Sequence, residues 1–524
     1  MLSTVESYTI LGVEALRVFV EVDVGRGLPC LEVVGLPGAA VREAKDRVRT
    51  AVRNSGFNWP EGRITVNLAP AHVPKTGTLF DLPIALGILA ASGQAPLPPS
   101  ESVFIGELSL DGRVRSVRGA LCIAAAMKGS GMLTLPAQNV AEVRALPKLR
   151  CLGVATLREL VDRLKAGDRG CPAQGPGPTA PALAKGRIWT NVKGQLTAKR
   201  ALTIAAAGGH HTMLIGPPGA GKTMLARSLA ELLSPLDSDE VIEVSTVYSV
   251  AGMLTPERPL VRRRPFRSPH HSVTPTALLG GGAHVRPGEV SLAHRGVLFL
   301  DEFPEFQRAA LEGLREPLEE GAVVISRASG SHRLPAEFTL VAAANPCPCG
   351  FLGDPEKVCT CNPTSISRYR RRLSGPLMDR IDLFVHVKRP DVDVLIADEA
   401  QSAGNDSEIA RSAESGGDPS DLDRRETWPK LLDNALKAQR RRFGNSKRRN
   451  GSMTPDEISV HAKLDNEGRT LLAQAAKCQS LSPRAIHRIL KVARTIADMR
   501  AREDLTVHDV SEALFFKSDS TYPR

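Results

Sequence analysis

Near the amino terminus, RVFVEVDV places Val18, Val20, Val22 and Val24 on one side of an extended chain, the two-residue period of a half-buried strand. RITVNLAP repeats the pattern with Ile64, Val66 and Leu68. Between them, AAVREAKDRVRTAVRNSGF changes period. Its apolar residues Val41, Ala44, Val48, Ala51 and Val52 recur at helical spacing. FDLPIALGILAASG is apolar almost all round and predicts a buried helix, with Pro83 in the first turn, where its missing N–H is tolerated. Residues 1–165 are therefore expected to form one α+β domain.

GDRGCPAQGPGPTAPALAKG then loses periodicity in favour of Gly, Pro and Ala, so 166–186 is expected to be a linker. From 187 to 397, short apolar runs alternate with helical patterns, as in a parallel α/β sheet. The polar, Ser/Gly/Asp-rich stretch at 398–427 is expected to be a disordered insertion. Residues 428–524 are expected to be helical. There TPDE at Thr454 has the spacing of a capping box, and SPRAIHRILKVARTIADMR opens with Ser482 as cap and Pro483 at the first helical position.

The pattern G-x-x-x-x-G-K-T runs through Gly216, Pro217, Pro218, Gly219, Ala220, Gly221, Lys222 and Thr223. It follows a short apolar run and opens a helix carrying Leu225, Leu229 and Leu232, which is the context a phosphate-binding loop requires. Backbone N–H groups in such a loop surround phosphate oxygens, and the helix N-terminus favours the anion. Lys222 is expected to reach the β- and γ-phosphates of ATP, and Thr223 to ligate Mg²⁺. GVLFLDEF, a second apolar run, ends in Asp301 and Glu302. Ligands of an open parallel sheet bind beyond the carboxyl ends of its strands. Asp301 is expected at Mg²⁺ and Glu302 at the attacking water. FTLVAAANP ends a third run at Asn345, whose amide could bond both the γ-phosphate and that water. An Asn before Pro346 is also a common turn residue.

Composition adds partners and exclusions. The net charge of +11 over 524 residues suits a polyanion, and a phosphate backbone is contacted by Lys and Arg without regard to sequence. Basic runs at Arg262, Arg368, Arg440 and Lys447 read either as a basic channel or as solvated surface. Aromatic residues are only 4%, which argues against extensive base stacking. No apolar run is long enough to cross a bilayer, and the first residues lack a secretory pattern. A cytoplasmic protein without a membrane partner is expected.

Four of the nine cysteines cluster in NPCPCGFLGDPEKVCTCNP: Cys347, Cys349, Cys359 and Cys361. In a reducing compartment such a cluster favours a metal over disulfides. Four thiolates suit tetrahedral Zn²⁺, although the pairs are tighter than the usual spacing. An iron–sulfur cluster and four packed thiols are the alternatives.

The phosphate loop, LFLDE, AAANP, GPLMDRIDL and SPRA together resemble AAA+ ATPases of the magnesium-chelatase and MCM branch. RPFRSPHHSVTPTALLGGGAHVRPGEVSLAHRGVLFLDEFPEF, with NPCPCG, resembles the ComM/YifB family more closely. The resemblance implies an AAA+ core with a helical lid and a homo-hexameric ATPase acting on DNA. It implies branch migration of incoming single strands in natural transformation, alongside recombination proteins. A magnesium-chelatase motor subunit is the alternative. By position in the motifs, Arg380 resembles the arginine finger and Arg484 the sensor arginine of the lid. The cysteine segment, between Asn345 and Arg380, is expected to project towards the DNA path or the adjacent subunit. The first domain resembles the proteolytic domain of Lon. The positions of Lon's catalytic serine and lysine fall here on Leu79 and Leu121, which can neither attack a carbonyl nor take a proton. A peptidase is therefore not expected.

Overall fold

The structure is a computed structural model. It describes residues 1–99, 101–128, 131–172, 192, 194–282, 285–327, 330–373, 375–389, 427–445 and 447–517. Residues 173–186 of the expected linker and 398–426 of the expected insertion lie outside these.

The amino-terminal unit is built on a mixed eight-stranded sheet. Its strands are β1 (Leu2–Leu11), β2 (Glu14–Gly25), β3 (Cys30–Val34), β4 (Arg63–Ala69), β5 (Ser102–Phe104), β6 (Met132–Pro136), β7 (Arg150–Val154) and β8 (Cys171–Pro172), in the spatial order β8-β7-β6-β5-β1-β2-β4-β3. Val18, Val20, Val22, Ile64, Val66 and Leu68 are all fully buried, as their alternation predicts. Helices Ala39–Asn54 and Asp81–Ala91 form where the period changes. The second is buried along its whole length, Pro83 included. β8 departs from the expectation, because Cys171 and Pro172 come from the expected linker. They pair antiparallel with Cys151 and Arg150 at the sheet edge, where a proline is tolerated.

The second unit holds a five-stranded sheet: β9 (Thr212–Ile215), β10 (Phe266–Arg267), β11 (Val297–Leu300), β12 (Thr339–Ala344) and β13 (Leu383–His386), ordered β10-β11-β12-β9-β13 and parallel throughout. Alternate residues go to opposite faces. Leu214, Phe299, Val341 and Val385 pack on one side with helix Leu196–Gly208 and the carboxy-terminal helices. Ile215, Leu298, Leu300 and Ala342 pack on the other, against Leu278, Phe303 and Leu311. The carboxy-terminal helices thus share a core with the sheet.

Those helices are Thr427–Phe443, Pro455–His461, Asn466–Cys478, Pro483–Met499 and Val507–Lys517. The first begins at Thr427, a residue expected in the insertion. Thr454 and Glu457 form the reciprocal capping box, and Ser482 caps the helix that Pro483 opens. Among the described residues, no helix is long and apolar enough to cross a membrane.

The two units touch through helix Ser238–Ala251. Its Ser249 donates to the buried Glu142 carboxylate at 2.6 Å and accepts from the Leu121 backbone N–H at 3.3 Å. Burial pushes the Glu142 carboxyl up, against its hydrogen bonds from Ser249 and Asn139. Leu79 and Leu121 are both buried, so these two positions offer packing and no reactive group.

Candidate functional site

β9 runs directly into the phosphate loop, which turns into helix Lys222–Leu232. Gly221 stands just before that helix with φ at +83°, a left-handed conformation that a residue with a Cβ resists. The Lys222 ammonium reaches Gly216 O at 2.6 Å, Pro217 O at 3.0 Å and Asn345 Oδ1 at 3.0 Å. Burial pushes the Lys222 ammonium down, while the nearby Asp301 and Glu302 carboxylates hold it up. Thr223 donates to Asp301 Oδ2 at 3.1 Å, and Asp301 Oδ1 accepts from the Glu302 N–H at 2.9 Å.

The parallel sheet explains this meeting. β9, β11 and β12 are adjacent, and each delivers its residues just past its carboxyl end. Segments far apart in sequence therefore place Lys222, Thr223, Asp301, Glu302 and Asn345 together. The arrangement offers a cation and backbone donors for phosphates, a hydroxyl and a carboxylate side by side for Mg²⁺, and a second carboxylate for a water.

The structure adds a residue to which the sequence alone assigns no role. His271 Nδ1 lies 2.8 Å from Glu302 Oε2.

Arg380 and Arg484 lie elsewhere. Arg380 precedes β13, whose Leu383 pairs with Thr212 at the start of β9. It therefore stands at the amino-terminal edge of the sheet, while the phosphate loop leaves the opposite edge. Four residues at about 3.3 Å each separate those edges by roughly 13 Å. Arg380 reaches Glu319 at 2.5 Å, and Arg484 reaches the same carboxylate at 3.8 Å. Arg380 also donates to Pro376 O at 2.6 Å, and its Nε has no hydrogen-bond partner among the described residues. Its side chain is 10% exposed and that of Arg484 71%. Both line a cleft of about 850 Å³ between sheet and carboxy-terminal helices, with Arg449, Arg488 and Lys491. Burial lowers the Arg449 guanidinium to about 10, with the Arg264 charge adding to the effect.

The basic runs divide once folded. Arg264 pairs with Glu240, Arg372 with Glu305, Arg442 with Asp498 and Arg448 with Glu457. Arg263, Arg368, Arg371, Arg440 and Arg441 stay exposed. The runs at Arg262, Arg368 and Arg440 are thus part scaffold and part exposed charge, whereas Lys447, Arg448 and Arg449 are all half-buried.

The four cysteines converge. Their sulfurs all lie within 4.8 Å of one another, with Cys347–Cys349 at 3.3 Å, Cys347–Cys359 at 3.6 Å and Cys349–Cys359 at 3.5 Å. Four ligands about 2.3 Å from a tetrahedral zinc would stand about 3.8 Å apart. The donor set and its spacing therefore fit the ion. Packing ties this segment to the phosphate loop: a Cβ on Gly350 would come within 2.6 Å of the Pro218 ring. Arg389, just after β13, spans Phe351 at 5.4 Å and Glu356 at 3.3 Å.

A parallel sheet carrying a phosphate loop, an acidic pair and a polar residue on three adjacent strand ends has the layout of a P-loop nucleotide-binding unit. The family described as "Magnesium chelatase, subunit ChlI" matches residues 189–395, "Subunit ChlI of Mg-chelatase" matches 20–139, and "Magnesium chelatase, subunit ChlI C-terminal" matches 426–517. Over 531 residues the chain is 40% identical to "Competence protein ComM" of Haemophilus influenzae, covering 99% of this chain and 97% of that protein. It is 39% identical over 521 residues to "Uncharacterized protein YifB" of Escherichia coli, with the same coverage. The "Magnesium-chelatase 67 kDa subunit" of Heliobacterium mobile is 28% identical over 190 residues, covering 31% of this chain and 28% of that one.

The chain belongs to the ComM/YifB family. Its AAA+ unit implies an ATPase that uses ATP and Mg²⁺.

Proposed function

We propose that this protein is a ring-forming ATPase that works on DNA and moves branch points during uptake and recombination of foreign strands. One observation carries the ring: Arg380 and Arg484 share Glu319 at the edge of the sheet opposite the phosphate loop. Both therefore stand away from the phosphate loop of their own chain. A guanidinium suits the charge that develops on transferring phosphoryl oxygens. In a homo-hexamer each copy presents the two arginines to its neighbour's ATP, so hydrolysis occurs between subunits.

Within one site, Lys222 and the loop amides bind the phosphates, Thr223 and Asp301 hold Mg²⁺, Glu302 orients and deprotonates the water, and Asn345 bonds the γ-phosphate. Cys347, Cys349, Cys359 and Cys361 hold one structural zinc, which stiffens the segment packed against Pro218.

DNA as the partner is supported by full-length similarity to a competence protein and by exposed arginines outside the ion pairs. Backbone contacts of that kind ignore base sequence. The test is ATP-dependent movement of the branch in a synthetic four-way DNA junction by purified protein. Movement with ATP and none with Glu302→Gln is expected; ATPase indifferent to DNA and no movement at low salt would overturn the reading. A metal-chelatase motor is the second reading, carried by the family descriptions. It predicts ATPase stimulated by porphyrin-binding partner subunits instead of by DNA.

A further inference from the structure

We propose that His271 is the positioning residue for Glu302, holding one carboxylate oxygen so that the other faces the attacking water. This rests on reading Glu302 as the base.

Strand register brings the two together. β10 and β11 are parallel neighbours, with Arg267 opposite Leu298. His271 follows Arg267 by four residues, and Glu302 follows Leu298 by four. Both therefore leave the same edge of the sheet side by side, and Nδ1 meets Oε2 at 2.8 Å. The two groups stand at ion-pair distance, and in such a contact the carboxylate can only accept.

His271 is itself held. The ring of His270 lies against it with centroids 4.1 Å apart. His270 Nδ1 accepts from the Ser272 N–H at 3.3 Å, and the Ser272 hydroxyl lies 2.9 Å from the same nitrogen. The turn closes through Val273 N–H to His270 O at 3.0 Å. Before the turn, Arg267 is clamped by Glu289 through two bonds of 2.7 and 2.8 Å. Glu302 needs such support, because its φ is +51°. A non-glycine residue keeps that conformation only where its surroundings impose it. Removing the imidazole leaves the carboxylate free to rotate away from the in-line water.

The test uses the full-length protein and four variants: His271→Ala, His271→Asn, His271→Gln and Glu302→Gln. Asparagine keeps a donor at the place of Nδ1, whereas glutamine carries its amide one carbon further out. His271→Ala is expected to lower kcat about 10- to 100-fold, as loss of an orienting partner does, with binding of a fluorescent ATP analogue little changed. His271→Asn restores most of the rate and His271→Gln does not. A kcat unchanged or raised in His271→Ala overturns the proposal, and so does equal activity of the Asn and Gln variants. If His271→Ala does not fold, the Asn-to-Gln comparison decides. Normal turnover by Glu302→Gln refutes the base assignment itself; an inactive Glu302→Gln beside a normal His271→Ala refutes the role of His271 alone.

Discussion

The two edges of the five-stranded sheet are chemically unlike. At the carboxyl ends of β9, β11 and β12, the Lys222 ammonium bonds the Asn345 amide, the Thr223 hydroxyl bonds the Asp301 carboxylate, and Glu302 follows directly beside them. At the amino ends, Arg380 and Arg484 face a cleft and share one carboxylate. A parallel sheet makes this separation unavoidable. Every strand starts on one edge and finishes on the other, so residues before β13 cannot meet a loop after β9. On the proposed reading, the chain carries the binding half of a phosphoryl-transfer site on one edge and the charge-stabilising half of its neighbour's site on the other.

Substitutions on the two edges should fail differently. Lys222→Ala should abolish both ATP binding and hydrolysis, because the β- and γ-phosphates lose their buried cation; equilibrium nucleotide binding and phosphate release measure both. Arg380→Ala should leave ATP binding near normal and lower kcat by about 10³- to 10⁵-fold, the range for an arginine acting on the transferring phosphoryl group. Glu302→Gln should also bind ATP, with kcat reduced about 10²- to 10⁴-fold by loss of the base. Loss of ATP binding in the Arg380 variant would erase the distinction between the edges.

Arg484 sharpens the comparison. It is far more exposed than Arg380 and stands further from Glu319, so less of the free chain holds it in place. Arg484→Ala should cost less than Arg380→Ala in kcat and leave thermal stability unchanged. The smallest effect on turnover is expected from Cys347→Ser. Elemental analysis should show zinc lost from a stoichiometry of one per chain. ATP affinity should fall by about tenfold or less, as for loss of a supporting shell, because the segment that the proposed zinc would stiffen backs Pro218.

Local pattern alone makes the carboxyl edge legible. The phosphate loop, the strand ending in Asp301 and Glu302, and the strand ending in Asn345 each announce themselves within a dozen residues. The cysteine segment is less transparent. Its place between Asn345 and Arg380 suggests projection towards the DNA path or an adjacent subunit, whereas the Gly350–Pro218 packing sets it against the nucleotide loop. That contact joins residues distant in sequence, so no local period reports it. The same limit hides the pairing of Arg264 with Glu240 and of Arg442 with Asp498, which removes these arginines from basic runs that look uniform in one dimension. It also hides His271, plain to see in RSPHHS but given meaning only by the register of β10 against β11. The expected linker begins too early, because an edge strand of two residues is too short to show periodicity.

The most direct test of the divided site mixes two inactive proteins. Lys222→Ala keeps its arginines, and Arg380→Ala keeps its phosphate loop. Co-assembled, they form some interfaces in which an intact loop faces an intact Arg380. With mixed rings verified by differently tagged subunits, ATP hydrolysis should reappear and peak at intermediate ratios. Mixed rings that stay inactive at every ratio would contradict the account.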